Sequence, residues 1–92
     1  MKVTVIYAAQ ARVAVGLGSE ELELDGPTSV HDLVVRLARR HGTAFGRLAL
    51  DANGRPHPSL LVAIGDDQVP SGALRKVASG ETVTIITPIS GG

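Results

Sequence analysis

The chain closes on Ile89-Ser90-Gly91-Gly92, and the two glycines are the residues whose type and place best suit chemistry. A terminal carboxylate is a poor electrophile. An enzyme has to convert it to a mixed anhydride, such as an acyl adenylate, before a sulfur or nitrogen nucleophile can attack its carbon. Residues without a Cβ thread a narrow channel, take backbone angles closed to other residues, and bring the reacting carbon close to the nucleophile. Gly91 and Gly92 come directly after a strand that Pro88 ends, with no residue written beyond them, which marks a tail with the form of a substrate. The plainer alternative is a frayed terminus, where glycine is common.

The remaining chemistry-bearing residues fit bland roles. His31, His41 and His57 are spaced neither as HxH nor as HxxxH, the usual arrangements of metal-ligating pairs. His41 is expected at a helix C-terminus, where its protonated form suits the macrodipole. Asp66-Asp67 reads as a solvated turn rather than a cation or acid–base pair. Arg36, Arg39 and Arg40 read as the solvated face of a helix, with docking of an acidic partner as the sharper alternative. Gly16 and Gly18 precede no helix start and no P-loop lysine, so they make no phosphate cradle.

Bulk properties narrow the field. Ninety-two residues suffice for one domain with a real core, and leave little for a preformed substrate cleft. Nine basic and nine acidic side chains cancel, so no net field draws the chain to nucleic acid or an anionic membrane. Tyr7 and Phe45 are the only aromatics, too few for a base-stacking platform. Cysteine is absent, which excludes disulfides, thiolate nucleophiles and Cys-ligated metal. Met1-Lys2-Val3-Thr4-Val5-Ile6-Tyr7 lacks the apolar run of a signal peptide or membrane span, so a cytoplasmic protein, monomeric when free, is expected.

The elements that must position the tail follow from periodicity. Val3, Val5 and Tyr7 alternate with Lys2, Thr4 and Ile6, the pattern of a half-buried strand from Lys2 to Ala8. Beyond Gly16 and Gly18, Glu20, Leu22 and Leu24 alternate with Glu21, Glu23 and Asp25, giving a second strand and a hairpin with a long loop. Gly26-Pro27 ends it. Ser29 with Asp32 three residues on is a capping-box-like helix start. Val30, Leu33, Val34, Leu37 and Ala38 then recur at helical spacing, predicting a helix from Val30 to His41 with Gly42 as its C′ residue. Asn53-Gly54 signals a turn in an irregular loop. Ser59 to Ile64 reads as an inner strand closed by Gly65-Asp66-Asp67. A crossing segment, possessing at most one helical turn, runs from Pro70 to Val77, and Glu81 to Thr87 is the last strand.

The order strand, strand, helix, strand, crossing segment, strand leaves one helix to cover one sheet face. This predicts an α+β, β-grasp (ubiquitin-like) fold, with a mixed sheet of four to five strands under one main helix. Residues 1–88 form the single domain and 89–92 a flexible tail. In the last strand, Val83 and Ile85 should face the helix, leaving Ile86 and the neighbouring Pro88 on the outer face. Ile86, Pro88, Ile89 and Ser90 are accordingly the expected partner-binding residues, beside the reactive Gly91 and Gly92. The alternative for Ile86 is a loop-covered minor cluster.

Val5-Ile6-Tyr7-Ala8-Ala9-Gln10-Ala11-Arg12, the Ser29-led helix, the Leu60 to Ile64 strand and the closing run Ser79-Gly80-Glu81-Thr82-Val83-Thr84-Ile85-Ile86-Thr87-Pro88-Ile89-Ser90-Gly91-Gly92 together resemble the MoaD/ThiS family of ubiquitin-like sulfur carriers. The closing run is the specific part. Length and the Ala9-Gln10-Ala11-Arg12 stretch make the chain look closer to the molybdopterin synthase small subunit than to the shorter thiamine carrier. Where many members carry Val-Asn-Gly, this chain has Gly65-Asp66-Asp67.

The resemblance implies a non-enzymatic carrier. An E1-like adenylating enzyme, using ATP and magnesium, activates Gly92; a sulfide or persulfide source displaces AMP; and the thiocarboxylate delivers sulfur to an acceptor synthase, such as the large subunit of molybdopterin synthase. No cofactor is bound by the carrier itself, and neither nucleic acid nor membrane is a partner. The missing cysteine is consistent, since an internal thiol could capture the activated terminus. Two further classes stay open: a protein modifier joined to lysines through Gly92, and a β-grasp interaction module with an inert tail.

Overall fold

The computed structural model describes residues 1–87. Strand β1 (Lys2–Ala9) is followed by a short helix α1 (Gln10–Val15), then β2 (Ser19–Glu23), β3 (Thr28–Ser29) and the long helix α2 (Val30–Ala49). Strands β4 (Leu61–Ile64), β5 (Asp67–Val69), β6 (Lys76–Val77) and β7 (Thr82–Thr87) complete the order. Five strands make one mixed sheet in the order β2-β1-β7-β4-β5. β7 lies at its centre, parallel to β1 and antiparallel to β4. The strand leading to the chain's end is thus hydrogen-bonded along both sides, the most rigid place a sheet offers. This is the expected β-grasp sheet covered by one main helix.

The alternations expected for β1 and β7 hold: Val3, Val5 and Tyr7, and Val83 and Ile85, are buried. Val62 and Ile64 of β4, read from the sequence only as part of an apolar inner strand, are buried as well. They meet Val30, Leu33, Val34 and Leu37 of α2 in a single apolar cluster. α2 starts as expected, with the Ser29 Oγ accepting from the Asp32 N–H at 3.1 Å.

Its end differs from expectation. Gly42 does leave the helical region, at φ 80°, ψ −166°, but the chain resumes its helix and continues to Ala49 instead of stopping at His41. The reason is packing: beyond the kink, Phe45 and Ala49 are fully buried, so a second apolar face repays continuing. Gly42 therefore aims the second segment into the core. Its backbone angles belong to a region essentially reserved for glycine, and nothing lies within 4 Å of a Cβ built there. Gly42→Ala is thus expected to destabilise the fold through backbone strain alone, by about 1–3 kcal/mol. A urea titration measures it, and an unchanged midpoint would show that the kink does not hold the C-terminal segment of α2.

Several smaller elements were not expected. The loop of the first hairpin contains α1, which buries Ala11 and ends on Gly16 in the left-handed region. The turn at Gly65-Asp66 returns as β5, with Ile64 opposite Asp67. The crossing segment contains no helix; an Ala73 N–H to Pro70 carbonyl bond of 3.0 Å makes one turn, and the segment ends as β6, paired with β3. The loop after α2 carries the expected turn, with Leu50 bridged to Pro56. Among the described residues no helix is long and apolar enough to cross a membrane.

Candidate functional site

Of the residues singled out from sequence, Pro88, Ile89, Ser90, Gly91 and Gly92 lie outside the described residues. Ile86 lies within them. It is half-buried on β7, with Val83 and Ile85 at 0% exposure on the opposite side, so it faces away from α2 as its parity required.

Register assembles what surrounds it. Ile86 lies opposite Ala8 on β1 and opposite Leu61 on β4. One step back along the same face, Thr84 lies opposite Ile6 and Ala63. Ile6 and Leu61 are 37% and 38% exposed, and with Ala8, Ala63 and Ile86 they form an apolar strip across three strands. A shallow groove of about 200 Å³ runs along it between Leu61, Ala63, Gln68 and Ile86. The strand amides here are consumed by the sheet ladders, so the strip presents side chains rather than a free edge. Exposed Ser19 lies opposite Ile6 on the β2 side, and exposed Asp66 borders the groove from the β4–β5 turn. Ile6 could have been found from sequence, since it shares parity with Lys2 and Thr4. Leu61 could not, because the run Leu60-Leu61-Val62-Ala63-Ile64 is apolar at every position and hides its own parity.

Where the chain leaves the sheet, Thr87 pairs with Ala9. Ala9 is the only described non-glycine residue at positive φ, at φ 57°, ψ −134°. β1 turns there into α1, and the tight corner holds Thr87 at 3% exposure with its Oγ1 unpartnered among the described residues.

Titratable side chains cluster on the inner side of the sheet. The Tyr7 hydroxyl donates to Glu20 Oε2 at 2.6 Å and lies 3.1 Å from His41 Nε2. His41 Nε2 hydrogen-bonds the same carboxylate oxygen, and Arg40 Nε donates to Glu20 Oε1 at 3.0 Å. The rings of Tyr7, His41 and Phe45 meet edge to face, with centroids 5.4–6.1 Å apart. Burial alone would raise the Glu20 carboxyl, yet the hydrogen bonds from Tyr7, His41 and Arg40 outweigh it and hold the group below its ordinary value. Burial, reinforced by the Glu20 carboxylate, pushes the Tyr7 phenol well above its usual range. The cluster ties β1 and β2 to α2 just before the kink. His41 is therefore more than a helix-end cation: it is a partner of Glu20.

The other candidates stay apart. His31 faces Asp32 at 3.1 Å on the surface. His57 Nδ1 accepts from the Ser59 hydroxyl at 2.7 Å and the Ser59 N–H at 3.1 Å, a local loop clasp that leaves the imidazole engaged two residues away. Asp66 is exposed in its turn, and Asp67 pairs with Arg75 at 3.5 Å. Among the described residues there is no group of three His, Cys, Asp or Glu able to hold a metal.

Comparison with known proteins agrees with the fold. A sequence model of the ThiS family matches residues 5–92. Among solved structures, SAMP1 from Haloferax volcanii is similar over 100% of both chains, with 20% identity and a TM-score of 0.84. A Pyrococcus furiosus protein described as molybdopterin converting factor subunit 1 is 25% identical over 96% of this chain and 98% of its own, with a TM-score of 0.72. The Amycolatopsis orientalis BexX/CysO complex includes a chain 28% identical over 98% of this one and 99% of its own, with a TM-score of 0.64. No curated protein sequence gives a significant match.

Proposed function

From the premise that this chain belongs to the ThiS family of small ubiquitin-fold carriers and modifiers, we propose that it is a sulfur carrier whose reacting atom is the carbonyl carbon of Gly92. The observation that carries this reading is the continuity of the family match through residue 92, behind a central strand that bears the apolar strip. Two similar chains, at 25% and 28% identity, are described as a molybdopterin converting factor subunit and as part of a CysO complex, which supports a carrier that works with partner enzymes.

A Gly92 carboxylate oxygen attacks the α-phosphorus of ATP, releasing pyrophosphate and leaving an acyl adenylate. A hydrosulfide or persulfide sulfur then attacks the carbonyl carbon and AMP departs. Hydrosulfide attack leaves the thiocarboxylate directly, whereas persulfide attack leaves an acyl disulfide that a second thiol of the sulfur donor cleaves, releasing the thiocarboxylate and closing a disulfide on the donor. The thiocarboxylate sulfur then attacks an activated carbon of the acceptor, displacing its leaving group, and water cleaves the resulting thioester, which leaves the sulfur on the acceptor and regenerates the Gly92 carboxylate. ATP and magnesium are held by an E1-like adenylating enzyme, and the acids and bases belong to the partners. This chain supplies a threadable Gly91-Gly92 end and a surface around Ile86, Pro88, Ile89 and Ser90 that seats it. Molybdopterin precursor is the proposed acceptor, through the large subunit of molybdopterin synthase.

Intact-protein mass spectrometry of the chain co-expressed with its adenylating enzyme tests the reading. A mass gain equal to one oxygen replaced by sulfur is expected. Lysine conjugates of higher mass would instead identify a modifier, and a chain that stays unaltered with active enzyme and ATP would overturn the proposal.

Docking is tested on the outer face. Ile86→Asp and Leu61→Asp each place a charge in the apolar strip while leaving the α2-facing core intact. Each is expected to weaken association with the adenylating enzyme by about tenfold or more, with the far-ultraviolet spectrum preserved. Undiminished affinity in both, by isothermal titration, would move the docking surface elsewhere.

A further inference from the structure

The face of the domain turned away from the apolar strip carries a hollow of its own. Between α2 and the turn that follows it runs an open groove of about 670 Å³. Its floor is made of Ala38, Gly42, Gly46 and Leu50, and its walls carry Arg39 and Arg47. A second hollow continues it toward the start of α2, sharing Arg39 and Gly54 and adding Val35. Side chains so small at Ala38, Gly42 and Gly46 let another backbone approach α2 closely, while Leu50 and Val35 offer apolar contact at either end.

Charge decides what fits. Arg40 is committed to Glu20 and Arg36 to the Glu23 carbonyl. Among the described residues, Arg39 and Arg47 have neither an ion pair nor a hydrogen bond, and both are exposed. They lie on either side of the Gly42 kink. Asp51 also lines the larger hollow and Asp32 the smaller one. The Asp51 carboxylate accepts the Asn53 and Arg55 N–H groups at 2.8 and 3.0 Å, which holds it in the charged form. A continuous polyanion, such as nucleic acid or a membrane surface, would meet these two acids. A short peptide segment can set two carboxylates on Arg39 and Arg47 and keep neutral residues against the acids.

We propose that this groove docks a short acidic segment of a partner protein, two carboxylates of which pair with Arg39 and Arg47. The site lies on the helix layer, whereas the Ile86 strip lies on the opposite side of the sheet, so both can be occupied at once. The inference is independent of the chemistry at Gly92, and stands or falls separately from it.

The test is a titration of the isotope-labelled full chain, followed by amide chemical shifts, with an acetylated heptapeptide containing two glutamates around a leucine. Saturable shifts confined to Ala38, Gly42, Gly46 and the 50–54 turn are expected. The same peptide with glutamine for glutamate, and the double variant Arg39→Glu with Arg47→Glu, should each bind about tenfold more weakly or worse. Arg12→Glu, at an exposed cation outside the groove, should bind as the unaltered chain does. Shifts scattered over the whole surface, equal binding by the glutamine peptide, an unaffected double variant that retains its fold, or tighter binding of oligothymidylate to the same residues would each overturn the proposal.

Discussion

Deletion of Gly91 and Gly92 is expected to abolish thiocarboxylate formation and leave the urea midpoint of the domain unchanged. Both halves follow from where the work is done. Among the described residues the buried core runs from Val3 to Ile85, between α2 and the inner face of the sheet, so the fold is expected to form without the last two residues. The chemistry needs them fully. Without them the terminal carboxylate belongs to Ser90, two residues short of the reacting position and carrying a Cβ. Misplacing a reacting atom by as little as an ångström costs roughly a hundredfold, and here the displacement is several times larger. Gly92→Ala, which keeps the length and adds one methyl group, should retain the fold and show a smaller but clear loss. Quantitative mass spectrometry of the product with purified adenylating enzyme, ATP and a sulfur source measures both. Wild-type yield from the truncated chain would remove the terminal carbon from the mechanism.

The second large effect lies in stability. Glu20 sits on the same side of β2 as Leu22, at 9% side-chain exposure, and its carboxylate is held by Tyr7, Arg40 and His41. Glu20→Gln removes the charge that these three groups address. Hydrogen bonds to charged groups contribute about 1.5–3 kcal/mol, and the expected loss is about 2–3 kcal/mol. The pH dependence carries the sign. The folded-state value of Glu20 lies below its ordinary 4.5, so its contribution is complete above 4.5 and is lost as pH falls through the folded value. The difference between the two proteins should therefore be constant near neutrality and shrink in acid, where protonated Glu20 comes to resemble glutamine. Urea titrations across that range measure it. A gap that persists unchanged below the folded value would mean that shape at position 20, rather than charge, supports the fold.

Much of this architecture was legible in the residues. Strict alternation in Val3, Val5, Tyr7 and in Val83, Ile85 marks strands with one buried face. The Val30–Ala38 spacing marks the helix, and Ser29 marks its start. Such signals are local: a strand repeats every second residue and a helix about every fourth, so a short window suffices to read them. Their order along the chain was enough to indicate a β-grasp fold. Glu20 was even visible on the inner side of β2, in step with Leu22 and Leu24.

What completed each of these features came from tertiary contacts. Six residues of α1 span too few turns to show a period, and the two-residue strands β3 and β6 exist only because they pair with each other. At Gly42 the sequence signal for a stop and for a kink is the same positive φ. The choice was made by Phe45, which finds Tyr7 and His41 to pack against. Glu20 acquired its role from His41 and Tyr7, on different elements. Ile6, Leu61 and Ile86 became one surface through the register of β1, β7 and β4. Periodicity states which way a side chain points, whereas the neighbour it meets depends on how strands distant in sequence align, and that alignment minimises a free energy summed over the whole core.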